Sequence, residues 1–297
     1  MEKEQFFKHK FIPVTTIVLA IIVLWYIFAI LLNAPFQRDI DRRGNVTSGT
    51  LEFIDKTLSQ PKPTLPAPHQ VAQNVFENTF LRAPTSNRSL INNAWVTLFP
   101  TAVGFAFGTI LGVLIAVGIV HLVALDRSLM PWVIASQTIP ILAIAPTIIV
   151  VLGAIGIQGL IPKALISTYL SFFPVTVGMV KGLRSPEVMH LDLMRTYNAS
   201  SAQTFWKLRV PASIPFLFTS MKVAIAASLV GTIIGELPTG AVDGIGIGNK
   251  LLAGSYYSQT IDLWAALVAG SILAALLVTI VGIAARLVDR SMGGRAA

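Results

Sequence analysis

The chain has 297 residues, of which 54% are hydrophobic and 12% are charged, and its mean hydropathy is +0.72. In a soluble domain of this length about a quarter of the residues are charged, so this composition predicts a polytopic membrane protein. The absence of cysteine excludes disulfide scaffolds, thiolate metal sites and cysteine nucleophiles, and the four scattered histidines exclude a paired-histidine zinc site. The net charge of +8 comes from basic residues spread between apolar segments, which indicates membrane topology and not nucleic-acid binding.

Six segments have the roughly 20 apolar residues that a helix needs to cross a bilayer core about 30 Å thick. The first, at 11–32, is predicted to be an uncleaved anchor within an N-terminal segment 1–33, because its apolar run is longer than the roughly 7–15 residues of a secretory signal. The other five predicted crossings are at residues 94–120, 132–155, 161–180, 216–234 and 263–287. The sequence therefore predicts an all-α helix bundle with about six transmembrane helices.

Residues 34–90 differ in character, with many charges and a proline-rich run at 61–68. They are predicted to form an extracytoplasmic connection with polyproline character. Apolar positions between residues 70 and 90 are spaced like one face of a short helix, which could lie in the membrane interface or could be an ordinary loop helix. Since the basic residues of the short flanks concentrate on the side of the amino terminus, both termini are predicted to be cytoplasmic, with 291–297 as a tail.

Two of the predicted crossings carry small side chains at four-residue spacing, which lets a neighbouring helix approach closely. This pattern predicts close helix packing within the chain, and it would also serve a contact between subunits if the chain dimerises. The residues are Gly104, Gly108, Gly112 and Ala116 in the second crossing, and Ser220, Ala224, Ser228 and Thr232 in the fifth.

The inner loop at 181–215 is too long and too patterned to be a simple turn. Residues 185–187 are a good helix start, and apolar residues then follow at helical spacing. A second short helix is expected from about residue 200 to 208, ending at Pro211. Two short helices that cross near Asn198 and Ala199 predict a compact knob below the membrane that offers charged and aromatic groups to a soluble partner.

The same loop resembles the signature of the permease subunits of binding-protein-dependent ATP-binding cassette (ABC) importers. That signature reads Glu-Ala-Ala, three residues, Gly, nine residues, Ile, one residue, Leu-Pro. This chain has Asp192-Leu193-Met194, then Asn198, then Leu208, Arg209 and Val210-Pro211 at the same spacing. Asn198 stands in place of the glycine, and asparagine tolerates a left-handed backbone better than most residues.

The resemblance extends over about residues 90–290, where the Gly-Ile-Gly at 244–246 and Gly248 resemble the outer-loop glycines of the family. Within the family, the run 196–215 looks most like the nitrate, sulfonate and taurine group, which includes permeases for pyrimidine precursors of thiamine. The resemblance implies the fold of a type I ABC importer permease, with a core at 91–290 and a coupling helix in the loop 181–215. It also implies an ATPase-docking surface made of Asp192, Tyr197, Asn198, Ala199, Ser200, Leu208, Val210 and Pro211.

The partners implied by the resemblance are a dimer of ABC ATPase subunits, a second permease copy and an extracytoplasmic solute-binding protein, in the bacterial cytoplasmic membrane. The chain has no GxxxxGK[ST] loop, so ATP and magnesium are expected on the ATPase, and the chain itself is expected to bind no cofactor or metal and to be no enzyme. Transport would follow from alternating access driven by ATPase closure.

Two charged residues of the fifth crossing are candidates for the pathway or its gate. Lys222 lies about two turns into the crossing, where a charge is costly unless it snorkels or faces protein or water. Glu236 lies at the outer end and could either cap the translocation path or mark the membrane interface. The alternative to an ABC permease is a stand-alone secondary transporter or channel, but the predicted spans offer almost no acidic residue for a coupling ion.

Overall fold

The computed structural model describes residues 2–45, 49–237 and 244–292, with side chains from residue 12 onward. The described residues confirm the all-α class predicted from the sequence. Residues 293–297 of the predicted tail and the lysine side chains near the amino terminus lie outside the described part. The helices are α1 (Glu2–Arg43), α2 (Thr50–Leu58), α3 (Pro68–Phe76), α4 (Leu90–His121), α5 (Val123–Ala135), α6 (Ile141–Ala154), α7 (Leu160–Leu183), α8 (Val188–Thr196), α9 (Ser201–Thr204), α10 (Val210–Glu236), α11 (Ile247–Tyr256) and α12 (Thr260–Ser291).

Among the described residues, five helical segments are long and apolar enough to cross a membrane. The crossing predicted at 132–155 is not a straight helix, because α5 and α6 meet at an angle of 96° and form either one broken span or a re-entrant loop. The break lies at Ile139, whose backbone is extended, directly before Pro140. A residue before proline is disfavoured in the helical conformation, and proline itself lacks a donor, which explains the break. The five spans are Ile12–Arg43, Leu90–His121, Leu160–Leu183, Ser201–Glu236 and Thr260–Ser291.

The chain forms two compact units, of which the first comprises Met1–Ile91 and Lys250–Ala269. Its helix α1 continues to Arg43, beyond the predicted end of the anchor at residue 33, because no glycine or further proline follows Pro35 until Gly44. The proline-rich run is not a free linker. Asn33 donates to Leu65 O at 2.8 Å and accepts from Thr64 N at 2.8 Å, so a buried amide of α1 satisfies backbone groups that a polyproline segment leaves unpaired.

The second unit comprises Asn92–Asn249 and Gly270–Ala297, and its centre is the packing of α4, α7 and α10. The small-residue stripes lie in this packing, as predicted for contact within the chain. A Cβ atom placed on Gly112 would lie 2.8 Å from Phe172 O, so only glycine lets α4 approach α7 this closely. Ser228 donates to Thr101 O at 2.8 Å, and its hydroxyl also contacts Ser167, which joins all three helices through buried hydrogen bonds.

This close approach makes Gly112 a sharp test of the packing. We expect Gly112→Ala to lower the free energy of unfolding by about 1–3 kcal/mol, because the added methyl overlaps the α7 backbone and the Val175 side chain. Gly153→Ala is the matched control, since a Cβ there has open space around it within 4 Å. Thermal unfolding in detergent compares the two variants, and equal midpoints would contradict the described packing of α4 on α7.

Candidate functional site

The predicted knob is a short helix followed by a sharply defined turn. Helix α8 ends at Thr196 with Tyr197 as its C-cap, and Asn198 has a left-handed backbone with φ of 49°. Asn198 N donates to Arg195 O and Ala199 N donates to Met194 O, both at 2.9 Å. This pair of bonds is the Schellman arrangement, which favours glycine or asparagine at the left-handed position. The signature that this loop resembles has glycine at this position. Asparagine, which adopts the left-handed backbone more readily than most other residues, takes its place here.

Ser200 begins the next helix with a capping box. Its hydroxyl accepts from Gln203 N at 3.2 Å, and the Gln203 side chain accepts in return from Ser200 N at 2.9 Å. The turn Tyr197-Asn198-Ala199-Ser200 is thus fixed on one side by the end of α8 and on the other by the start of α9. It is a rigid projection and not a flexible loop tip.

The surface of the knob exposes large apolar side chains. Apolar groups this exposed at the end of a helix bundle are typical of a surface that a partner protein covers. Asp192 and Arg195 form an exposed ion pair at 3.1 Å on the same helix, which contributes little to stability and leaves both charges available to a partner. The exposed apolar residues, with their exposed fractions, are Val188 (72%), Met189 (72%), Leu193 (51%), Tyr197 (77%) and Trp206 (67%).

Phe205 anchors this knob to the membrane-spanning helices. It is 9% exposed, belongs to a buried cluster with Ile119, Met179 and Leu183, and meets the His121 ring edge-on at 4.6 Å between centroids. Phe205 therefore attaches the start of the second short helix to the ends of α4 and α7. Movement of the knob must displace this cluster, because packed side chains do not deform freely.

The prediction that Pro211 ends the second short helix is wrong. Helix α9 passes through a π-helical turn at Phe205–Arg209 directly into α10, so residues 201–236 form one continuous helix of 36 residues. Pro211 is the second residue of α10 and directly follows the π-helical turn, so its missing N–H falls where the α-helical hydrogen-bond pattern begins again. Leu208 and Val210 are half-buried in this rod, while Pro211 is exposed on it, so these three residues lie beside the knob and not at its tip.

Glu236 lies at the opposite end of the same rod and is completely buried. The Thr97 hydroxyl donates to its carboxylate at 2.9 Å, and Gly248 N donates to it at 2.8 Å. The neighbouring amides are bound in the same way, since Gly246 N donates to Asn93 Oδ1 at 2.7 Å and Ile247 N donates to Thr97 Oγ1 at 3.0 Å. Side chains of α4 and α10 therefore hold the first backbone amides of α11, and we name these residues the Glu236 network.

The glycines near residue 246 are required by this network. Gly246 has φ of 131°, and a Cβ there would lie 2.6 Å from the Glu236 carboxyl carbon. A Cβ on Gly248 would lie 2.7 Å from Glu236 Cβ. These contacts give a physical reason for the glycine pattern noted in the sequence. Residues 238–243, which follow Glu236 in the chain, lie outside the described part.

Lys163 is a further charged residue near Glu236. It lies in the first turn of α7 and is 5% exposed. A Cβ on Gly235 would lie 3.2 Å from Lys163 Cα, and the positive charge of Lys163 acts on Glu236. A buried carboxylate is costly unless it is hydrogen-bonded, and Thr97 and Gly248 supply those bonds to Glu236.

Sequence reasoning identified Glu236 but missed its partners on α4. Asn93, Thr97 and Thr101 recur every four residues and form a polar stripe on an otherwise apolar helix. The four-residue spacing indicates a polar stripe on α4. Only the fold shows that Glu236 faces this stripe. Thr101 continues the stripe by donating to Thr232 at 3.0 Å.

Lys222 is not part of the Glu236 network. The two residues are 14 positions apart on one helix, which separates them by about 21 Å along its axis. Lys222 is exposed and extends beside α12, where its Nζ lies 4.0 Å from the position of a Cβ on Gly282. The two predicted pathway residues therefore lie at different depths. Within the described residues, no group of three His, Asp or Glu side chains is arranged to hold a metal ion.

Comparison with known proteins gives a match to the family described as "Binding-protein-dependent transport system inner membrane component", over residues 108–294. The chain is 28% identical over 195 residues to the formylaminopyrimidine transport permease protein ThiX of Halalkalibacterium halodurans, covering 66% of this chain and 73% of the relative. It is 25% identical over 188 residues to the nitrate import permease protein NrtB of Synechocystis, covering 62% and 66%.

A third relative is SsuC of Bacillus subtilis, named for aliphatic sulfonates transport, with 22% identity over 179 residues, 60% of this chain and 62% of the relative. The family match covers more than half of the chain, includes the knob, the rod and the glycines of the Glu236 network, and agrees with the helical membrane fold. The chain therefore belongs to the family of binding-protein-dependent inner membrane components, the permease subunits of ABC importers.

Proposed function

We propose that this chain and a second copy of it form the translocation pathway of an ATP-driven importer. In this assembly, the tip of the knob, Tyr197 to Ser200, docks on an ABC ATPase subunit, and an extracytoplasmic solute-binding protein delivers the substrate. ATP and magnesium are bound by the ATPase. Both termini of the permease lie in the cytoplasm.

The observation that carries this proposal is the continuous helix from residue 201 to Glu236. Its 36 residues extend over about 54 Å, more than the thickness of a bilayer core. It begins beside the exposed knob, is anchored there by Phe205, and ends in the Glu236 network. A push on the knob by a closing ATPase would therefore reach the far side of the membrane through a single rod.

Glu236 acts in this proposal as a gate residue. Its carboxylate binds the first amides of α11, so displacement of α10 would stretch the bonds to Gly248 and Thr97. Two discrete arrangements of this contact, bound and released, would couple the far end of the permease to the state of the ATPase.

We further propose that the substrate is a small polar solute of the range named for the relatives, which includes nitrate, aliphatic sulfonates and formylaminopyrimidine. These solutes differ in charge and size, so we expect the solute-binding protein to determine which substrate is transported. Screening the purified binding protein against these compounds identifies its ligand, and that ligand is the expected substrate.

The test is uptake by a host that lacks the transporter, with the permease expressed alone, with its ATPase, and with both the ATPase and the binding protein. We expect saturable uptake only when all three are present. A gentle purification of the tagged permease should also retain the ATPase in about equal amount. Uptake by the permease alone, driven by an ion gradient, would overturn the proposal in favour of a secondary transporter.

A further inference from the structure

The first compact unit contains an apolar groove with a volume of about 420 Å³. Helix α3 and the π-helical turn after it, Glu77–Leu81, form one wall, through Val71, Phe76 and Phe80. Trp25 of α1 and Val268 of α12 belong to the other. Both of these residues lie within membrane-spanning helices, so the groove is open at the depth of the bilayer.

The wall formed by α3 and the turn is amphipathic in the manner of an interfacial helix. Phe76 and Phe80 are 54% and 72% exposed although their rings pack together, with centroids 5.3 Å apart. On the other side, the polar Asn74 and Asn78 are hydrogen-bonded to each other, and Asn74 also donates to Asp262 at 3.0 Å. Exposed aromatic rings beside an apolar groove are stable in lipid and costly in water, so the sequence alternative of an interfacial helix is favoured.

A cluster of three basic residues begins at the end of this wall. Arg82 directly follows the turn, and Lys250 donates to Arg88 O at 2.8 Å. Burial lowers the pKa of Lys250; the charge of Asp262 opposes that effect, and the charges of Arg82 and Arg88 add to it. The cluster of Arg82, Arg88 and Lys250 thus holds like charges close together, an arrangement that a bound anion would stabilise.

Two exposed tyrosines lie at the end of the helix that carries one residue of the cluster. Tyr256 and Tyr257, at the end of α11, are 82% and 65% exposed and stack edge to face. Exposed tyrosines at the end of a membrane bundle are typical of the aromatic belt at the headgroup level. Lys250 is on the same helix, less than two turns from Tyr256.

We propose that this cleft binds an anionic phospholipid, with its phosphate on Arg82, Arg88 and Lys250 and an acyl chain in the groove lined by Trp25, Phe76 and Phe80. The chemistry fits an amphiphile because Arg82 directly follows the turn that carries Phe80, so the basic cluster begins where the apolar wall ends. An acidic surface of a solute-binding protein would pair with the cations alone and leave the groove and the exposed rings without a function. This inference is independent of the transport proposal, since lipid binding needs neither ATPase nor substrate.

The test uses the full-length chain, delipidated in detergent and titrated with phosphatidylglycerol or with phosphatidylcholine. Native mass spectrometry counts bound lipid, and thermal unfolding measures stabilisation. We expect phosphatidylglycerol to bind more tightly and to raise the unfolding midpoint more than phosphatidylcholine. Arg82→Gln combined with Lys250→Gln should weaken phosphatidylglycerol binding by about fivefold for each charge removed.

Lys62→Gln is the matched control, because it removes an exposed charge from the same unit but outside the cluster and should leave the lipid preference unchanged. Phe80→Ser should weaken the binding of both lipids by shortening the apolar wall. Equal binding of the two lipids by the unmodified chain, or an unchanged preference in the double variant, would overturn the proposal. So would a double variant that loses the solute-binding protein but keeps its preference for phosphatidylglycerol.

Discussion

Replacement of Glu236 by alanine is expected to lower the free energy of unfolding by about 2–4 kcal/mol, because two buried donors, the Thr97 hydroxyl and Gly248 N, lose their acceptor. The first amides of α11 should then exchange with solvent faster. Thermal unfolding and hydrogen exchange of residues 244–250, both in detergent, measure the two effects.

Glu236→Gln keeps an acceptor oxygen, so its free energy of unfolding should lie between those of the native chain and the alanine variant. Gly248→Ala should lower the free energy of unfolding as Glu236→Ala does, because the new methyl would lie 2.7 Å from Glu236 Cβ. Both alanine variants should keep the ATPase bound but lose uptake, because the knob is at the other end of the rod. Loss of ATPase association in Glu236→Ala would show that the docking surface is mislocated, and unchanged exchange at residues 244–250 would refute the Glu236 network.

The sequence predicted those features of the fold that depend on neighbouring residues. Long apolar runs predicted the crossings, and the small-residue stripes predicted where helices approach closely, as at Gly112. The turn at Asn198 was predictable because a left-handed backbone and its hydrogen bonds depend only on residues next to it in the sequence. The wrong predictions also have local causes, since Pro211 usually ends a helix and here enters one through a π-helical turn.

Features that depend on distant residues were not predictable in the same way. Glu236 was recognised only as a charge at a helix end, whereas its partners Thr97 and Gly248 lie far from it in the sequence or on another helix. The attachment of the proline-rich run to Asn33 was missed for the same reason. A single sequence shows which side chains need a partner, and only the fold determines which partner they find.

The rod explains why two distant sites can belong to one mechanism. Phe205 and the Glu236 network are fixed to neighbouring helices at opposite ends of residues 201–236, so the helix is held tightly at both ends. Lys222 lies between them on an exposed face, beside Gly282 of α12. In the proposed mechanism, a displacement that enters at the knob would be transmitted along this helix to the hydrogen bonds between Glu236 and α11.

The knob itself is tested by Asn198→Ile. A β-branched residue at φ of 49° is strained by about 1–2 kcal/mol, so the turn should reorganise and move Tyr197 and Ala199 away from their native positions. We expect the variant to insert in the membrane and to unfold near the native midpoint, because Asn198 is exposed and outside the spans. ATPase co-purification should fall at least about tenfold, the equivalent of losing about 1.4 kcal/mol of docking free energy, and uptake should be lost.

Asn198→Gly is the matched control, since glycine adopts the left-handed backbone without strain and preserves the bonds from residues 198 and 199 to α8. It should keep both ATPase docking and uptake, which separates the shape of the turn from the chemistry of the asparagine side chain. If both variants lose docking, the amide of Asn198 contacts the ATPase directly. If Asn198→Ile retains normal uptake, the turn is not where the force of the ATPase enters, and the rod from residue 201 to 236 would have to be driven from elsewhere on the cytoplasmic side.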